Sequence, residues 1–172
     1  MSTLKVGTIQ DHANSNTAIT IDSGGRVFHT ARPMFDVNKT TEQSVASGAI
    51  TKVQWENENY DIGSCFDLGN NRFVAPIAGK YFMSAYVTLG TMIAGSGIGL
   101  QWFKNGSIFR HGHHQSTEIN ITLAMQCFGT FDLAANDYLE VVLGRSSSSD
   151  WNGTIYEDGT RGYTQFFGYL VG

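Results

Sequence analysis

Apolar and polar residues alternate along most of this chain, in runs of six to ten interrupted by Gly, Asn and Asp. Ile50-Thr51-Lys52-Val53-Gln54-Trp55 alternates, broken only by the polar pair Thr51-Lys52. Lys80 to Leu89 is a longer run carrying Tyr81, Phe82 and Tyr86. Ile98 to Phe103 and Ser107 to Arg110 flank Lys104-Asn105-Gly106, and Asn-Gly between two apolar runs is a strong hairpin signal. Asn120 to Leu133 reads as one long strand, or as two joined at Gly129. Tyr138 to Leu143 follows the turn Ala134–Asp137, and Tyr163 to Val171 closes the series. No twelve-residue window holds an apolar period of 3.6. Many short strands at regular spacing predict an all-β antiparallel sandwich over residues 32–172.

Residues 1–31 have a different texture. Thr17-Ala18-Ile19-Thr20-Ile21 and Arg26-Val27-Phe28 flank Asp22-Ser23-Gly24-Gly25, which predicts a short β-hairpin. The stretch is too small and polar to hold its own core. It is expected to act as an anchor or trimerisation extension that packs on other chains, or else to be a frayed tail.

Composition narrows the classes. Only 15% of the 172 residues are charged, the net charge is −4, and Ser, Thr, Asn and Gly together make 61. No basic patch marks a nucleic-acid binder, so no nucleic-acid partner is expected. No apolar run approaches the roughly 18 residues of a membrane helix, so no membrane insertion is expected. Met1-Ser2-Thr3-Leu4-Lys5 lacks the apolar segment of a secretory signal. Two cysteines, Cys65 and Cys127, make neither a disulfide framework nor a four-ligand zinc site, and are read as buried free thiols.

The stretch from Trp55 to Ala85 carries a spaced signature: Trp55, Asp61, Phe66, Phe73, Gly79, Tyr81, Met83, Ala85. It resembles the signature of the globular head of complement component 1, subcomponent q, a family that shares its fold with tumour necrosis factor. Every spacing is kept; Trp55, Met83 and Ala85 replace a Phe, a Phe and an aromatic of that pattern. Phe103-Lys104-Asn105-Gly106 is similar to the family's Lys-Asn-Gly hairpin, Leu133 to Val141 to its penultimate turn and strand, and Phe166-Phe167-Gly168-Tyr169-Leu170 to its closing strand. The resemblance implies a ten-stranded jelly roll that assembles as a homotrimer. Leu4 to Ile9 and Ile19 to Val27 also resemble N-terminal segments of bacteriophage tail-fibre and virion proteins. That second likeness implies a virion protein assembled in bacterial cytoplasm, with thiols kept reduced.

The aromatics Tyr81, Phe82, Tyr86, Trp102, Phe103, Phe109, Phe131, Phe166, Phe167 and Tyr169 exceed what one sandwich face needs. Burying both parities of a strand takes two apolar surfaces: a core, and a face shared among three chains. Strand parity places the turns 104–106 and 134–137 at the end where the last strand finishes, and the family resemblance implies that the domain also begins at that end. Parity places long loops 90–97, 112–119 and 145–162 at the other end, where binding is expected.

Those distal loops hold the candidate site residues. Asp150, Trp151, Asn152, Tyr156, Glu157 and Asp158 combine aromatic faces with hydrogen-bonding groups, a composition suited to a host-surface receptor or glycan; the plainer reading buries Trp151 in a neighbouring subunit. His111, His113 and His114 are close in sequence, and three copies around a trimer axis would offer neutral imidazoles to a transition metal; the plainer reading is a solvated polar loop. No other cofactor is expected.

Gly90-Thr91-Met92-Ile93-Ala94-Gly95 opens like a phosphate loop, but Ser96 occupies the lysine position and a strand follows. No nucleophile elbow and no His-Glu-x-x-His motif is present. The chain is therefore expected to be no enzyme. It reads as a trimeric virion fibre, spike or decoration subunit, docked to other virion proteins by residues 1–31. The alternatives are a cellular complement-like ligand-binding or lectin module, and a jelly-roll metalloenzyme using the histidines.

Overall fold

The alternation found in the sequence is realised as antiparallel sheets. The computed structural model describes residues 4–46, 48–145, 153–157 and 162–172. The chain divides into two units, Met1–Arg32 and Pro33–Gly172. Among the described residues the only helical element is the 3₁₀ turn Leu68–Asn70, and no helix is long and apolar enough to cross a membrane.

The first unit is a sheet of three strands, β1 (Thr8–Gln10), β2 (Thr17–Ile21) and β3 (Val27–Phe28), in the order β1-β2-β3. The expected hairpin is β2–β3. Its turn is held by Asp22, whose Oδ1 accepts the backbone N–H groups of Gly24 and Arg26, both at 2.9 Å, while Gly25 adopts φ 79°. Ile9 pairs with Ile19 and Ile21 with Val27, so these four share one face. No residue from Leu4 to Ala31 is buried, because three short strands have no second layer to cover them.

The second unit has thirteen described strands: β4 (Met34–Asn38), β5 (Gln43–Val45), β6 (Thr51–Lys52), β7 (Asn57–Ile62), β8 (Phe66–Asp67), β9 (Arg72–Val74), β10 (Gly79–Met92), β11 (Gly97–Lys104), β12 (Ser107–Ser116), β13 (Ile121–Leu133), β14 (Tyr138–Arg145), β15 (Gly153–Ile155) and β16 (Gln165–Leu170). One sheet runs β5-β15-β10-β16-β4-β7, with β13 on the other side of β10. The other runs β12-β11-β14-β9-β8, with β6 also paired to β14. This is the expected jelly-roll sandwich. Short strands of two or three residues raise the number above ten. The run expected from Asn120 proves to be one strand, Ile121–Leu133, since Gly129 stays in register opposite Met83.

The core lies between the sheets. Tyr81, Met83, Ala85, Val87 and Leu89 of β10 face Leu100 and Trp102 of β11 and Leu139, Val141 and Leu143 of β14. Phe35 is its aromatic centre, 4.8 Å from Phe166, 5.0 Å from Phe66 and 5.3 Å from Phe73 by ring centroids. Trp55 and Trp102 close on Phe166 at 5.6 and 5.4 Å. The spaced motif thus gathers Trp55, Phe66, Phe73 and Tyr81 around two rings contributed from the chain's opposite ends. The departures at Met83 and Ala85 are accommodated by partners on β16: Met83 lies opposite Gly168 and Ala85 opposite Phe166, so the large ring and the small side chain change strands.

The remaining motif residues shape the backbone. Asp61 Oδ1 accepts the N–H of Cys65 at 2.9 Å and Oδ2 that of Phe66 at 3.0 Å, closing a turn in which Gly63 and Ser64 both have positive φ. The Tyr81 hydroxyl donates to the Ile77 carbonyl at 2.8 Å. Gly79 abuts Leu170, whose Cδ1 lies 2.7 Å from where a Cβ would sit. Both cysteines are buried free thiols. One buried cation escapes sequence reading: Lys39, fully covered, donates to Glu56 Oε1 at 2.7 Å and to the Gln54 carbonyl at 3.0 Å.

Candidate functional site

Two ends and two outer faces organise the larger unit. At one end the turns after β11 and β13 are bonded together: Asn105 Nδ2 donates to Asp137 Oδ1 at 2.7 Å, and Lys104 Nζ lies 2.7 Å from Asp137 Oδ2. These contacts, with the Ala134 N–H, hold the Asp137 carboxyl down at about 2. The unit begins at this end, where the Pro33 carbonyl accepts the Leu170 N–H at 2.9 Å. At the other end Gly95 N–H donates to the Thr117 carbonyl at 2.7 Å and Ala94 N–H to Asn120 Oδ1 at 3.1 Å. The parity argument therefore places the turns correctly.

Their lengths need correction. The expected loops 90–97 and 112–119 contract to four-residue turns, 93–96 and 117–120, because the ladders continue past the apolar runs. Met92 still pairs with Ile121 and Gly97 with Ser116. Polar side chains do not stop a strand whose backbone groups are taken up by its neighbour. Within the expected loop 145–162, Gly153–Ile155 is a strand that pairs with β5 and touches β10 at Leu89.

The candidate glycan residues are divided by this. Asp150, Trp151, Asn152 and Asp158 lie outside the described residues. Tyr156 is half-buried, with its N–H bonded to the Thr88 carbonyl at 2.8 Å and its ring over Gly90, where a Cβ would sit 3.2 Å away. Glu157, beside it, is half-buried too. Tyr156 therefore packs on the end of β10.

The histidines are likewise on a strand. His111, His113 and His114 belong to β12, and the extra residue of a β-bulge separates them. Among the described residues of one chain, no three His, Cys, Asp or Glu side chains converge as a metal-binding group.

The aromatic excess divides as parity requires. Tyr81, Trp102, Phe131 and Phe166 are core. Phe82, Tyr86, Phe167 and Tyr169 share the outer face of the larger sheet. Register aligns Met34-Tyr169-Phe82-Thr130 in one row, Asp36-Phe167-Ser84-Phe128 in the next and Asn38-Gln165-Tyr86-Gln126 in the third. Phe82 lies 5.4 Å from Tyr169 and 6.5 Å from Phe167 by ring centroids. Ser84 is only 2% exposed between its large neighbours, whereas Phe128 is 66% exposed. Asp36 is the polar hub, accepting Gln165 Nε2 at 2.9 Å and Asn59 Nδ2 at 3.1 Å.

Beside this face run β12 and β13, each paired on one side only among the described residues. A surface crevice between them is lined by Phe109, Arg110, Thr130 and Phe131, with Lys80 and Asp132 at its rim. The Arg110 guanidinium stacks 4.7 Å from the Phe131 ring centroid, and Phe109 is 48% exposed. Composition alone pointed to a second apolar surface; which residues form it depends on register.

No family model and no curated protein matches the sequence. Solved structures do match the fold. The globular domain of zebrafish complement 1qA superposes with a TM-score of 0.55 at 12% identity, covering 82% of this chain and 98% of that one. Murine APRIL superposes with a TM-score of 0.56 at 13% identity, covering 81% and 99%. The chain therefore has the jelly-roll fold of complement 1q and tumour-necrosis-factor-like domains.

Proposed function

We propose that this chain is a non-enzymatic, trimeric binding module of a bacteriophage particle: a fibre, spike or decoration subunit. The observation that carries the trimer is the outer aromatic face. A half-covered cluster of Phe82 and Tyr169 in one row and Phe167 and Phe128 in the next is costly to leave in water and has the composition of an obligate interface. Two unlike surfaces, this face and the edge that carries Phe109, favour a ring in which each copy's edge meets the next copy's face.

The virion setting is supported by the sequence likeness of residues 4–27 to phage segments and by the low charge. Residues 1–31 dock the trimer to other virion proteins: their sheet exposes Ile9, Val27 and Phe28 and buries nothing by itself. The segment 145–162 meets a host-surface receptor or polysaccharide. Many copies on one particle make weak single contacts sufficient.

Light scattering of the purified chain tests the trimer. A species of three chains is expected at micromolar concentration, and Phe82→Asp with Phe167→Asp should convert it to monomers that keep their β-sheet circular dichroism. A monomeric parent would end the reading. Labelled electron microscopy of phage particles tests the setting, and deletion of residues 1–31 should leave trimers that no longer incorporate.

A further inference from the structure

The outer face of the smaller sheet carries a notch that the jelly-roll topology does not require. From Gln101 to Gly99, β11 advances two residues, while its partner advances three, from His111 to His114. The extra residue is a β-bulge, and it puts His111 and His114 on one face. Gly112, between them, points inward, where a Cβ would run into Cys127 and the Leu100 carbonyl. That face is the side of Gln101 and Gly99. Without the bulge, residues three apart on a strand would point to opposite faces.

The floor of the notch is a pair of glycines. Gly99 and Gly144 are register partners. The His114 ring lies over Gly99, with Cδ2 3.4 Å from where a Cβ would sit. The Gln101 amide lies over Gly144, within 2.6 to 2.8 Å of the corresponding position. Its Nε2 is 3.3 Å from His111 Nδ1, while Oε1 is buried and has no hydrogen-bond partner. The His114 ring and the Gln101 amide thus lie over backbone that carries no side chain, with the His111 ring within reach of that amide.

We infer that His111 and His114 form a two-imidazole site for a divalent transition metal such as Ni²⁺, Cu²⁺ or Zn²⁺. Imidazole suits these ions, and a spacing of about 7 Å between α-carbons on one strand face lets two rings meet at one ion. Gln101 is a positioning residue. Turned so that Oε1 receives the Nδ1–H of His111, its amide fixes the tautomer that leaves the Nε2 lone pair for the metal. His113 is the residue of the bulge and takes no part. With two ligands from the protein, the remaining coordination positions face outward, open to solvent or to a donor on whatever meets this face.

Titration calorimetry of the untagged full chain with NiCl₂ at pH 7.5 tests the site. One ion per chain is expected, with His111→Ala and His114→Ala each weakening binding by about tenfold or more and Gln101→Ala by about tenfold. His113→Ala should leave affinity unchanged. Cu²⁺ bound to the unmutated chain should show two nitrogen donors by electron paramagnetic resonance, a readout independent of how the variants fold. Absence of saturable binding, a single nitrogen donor, or an equal loss in His113→Ala would overturn the assignment.

Discussion

Asp61 accepts the backbone N–H of Cys65 through Oδ1 at 2.9 Å, and this contact closes the turn that brings Phe66 into the core. With the second bond from Oδ2 to Phe66, the carboxylate satisfies two amides where the backbone itself offers them no partner. Charge-assisted bonds of this kind are each worth about 1.5–3 kcal/mol. Asp61→Ala should lower unfolding stability by about 3 kcal/mol. Asp61→Asn, which keeps one acceptor, should cost about half as much. Urea denaturation followed by tryptophan fluorescence measures both, and equal stability of all three proteins would refute the cap.

Gly168 marks the tightest packing between β16 and β10. A Cβ there would collide with the Met83 sulfur, sit 2.8 Å from the Phe82 carbonyl oxygen and reach Phe35 at 3.0 Å. The carbonyl belongs to the ladder and cannot swing away. Gly168→Ala is expected to destabilise by about 3 kcal/mol through overpacking. Adding Met83→Ala should recover only part of that loss. Full recovery in the double variant would show that the backbone contact is harmless.

Asp137 predicts the acid limb of stability. Its bonds from Lys104, Asn105 and Ala134 hold the folded pKa at about 2, below the ordinary aspartate value of 3.8. A group depressed on folding stabilises the protein above its unfolded pKa and loses that contribution as the pH falls through the folded one. Melting temperature should therefore fall between about pH 4 and pH 2. Asp137→Asn should melt lower at pH 7 and show a shallower slope in that window.

The thiols should be silent. Burial pushes both Cys65 and Cys127 well above the ordinary cysteine range, and the Asp61 carboxylate adds to the effect at Cys65. Thiolate, the reactive form, is then scarce near neutral pH. Ellman's reagent should find no thiol in the native protein at pH 8 and two per chain in guanidinium. Rapid native labelling would mean that the core opens readily around β8 or β13.

How much was legible in advance depended on whether a signal was local. The strands from Lys80 to Leu143, the Asn105-Gly106 turn and the β2–β3 hairpin follow from alternation and turn chemistry, which neighbouring residues settle among themselves. The spaced motif was legible because its intervals reflect strand and turn lengths that the core enforces. Lys39 was not legible, since its burial depends on Glu56, seventeen residues away. Loop lengths were overestimated because polar residues at Arg110–Ser116 look like loop until a neighbouring ladder claims their backbone.

The candidate site divides the same way. Histidines at 111, 113 and 114 are visible as letters, but their orientation follows from a one-residue offset against β11. Phe82 and Phe167 are 85 positions apart in the chain and stand together only because β10 and β16 pair in one register. Composition and periodicity, being sums over neighbours, set the all-β class and the surplus of aromatic surface. Register, bulges and strand order, being relations between distant segments, set which aromatics face outward and which histidines share a notch.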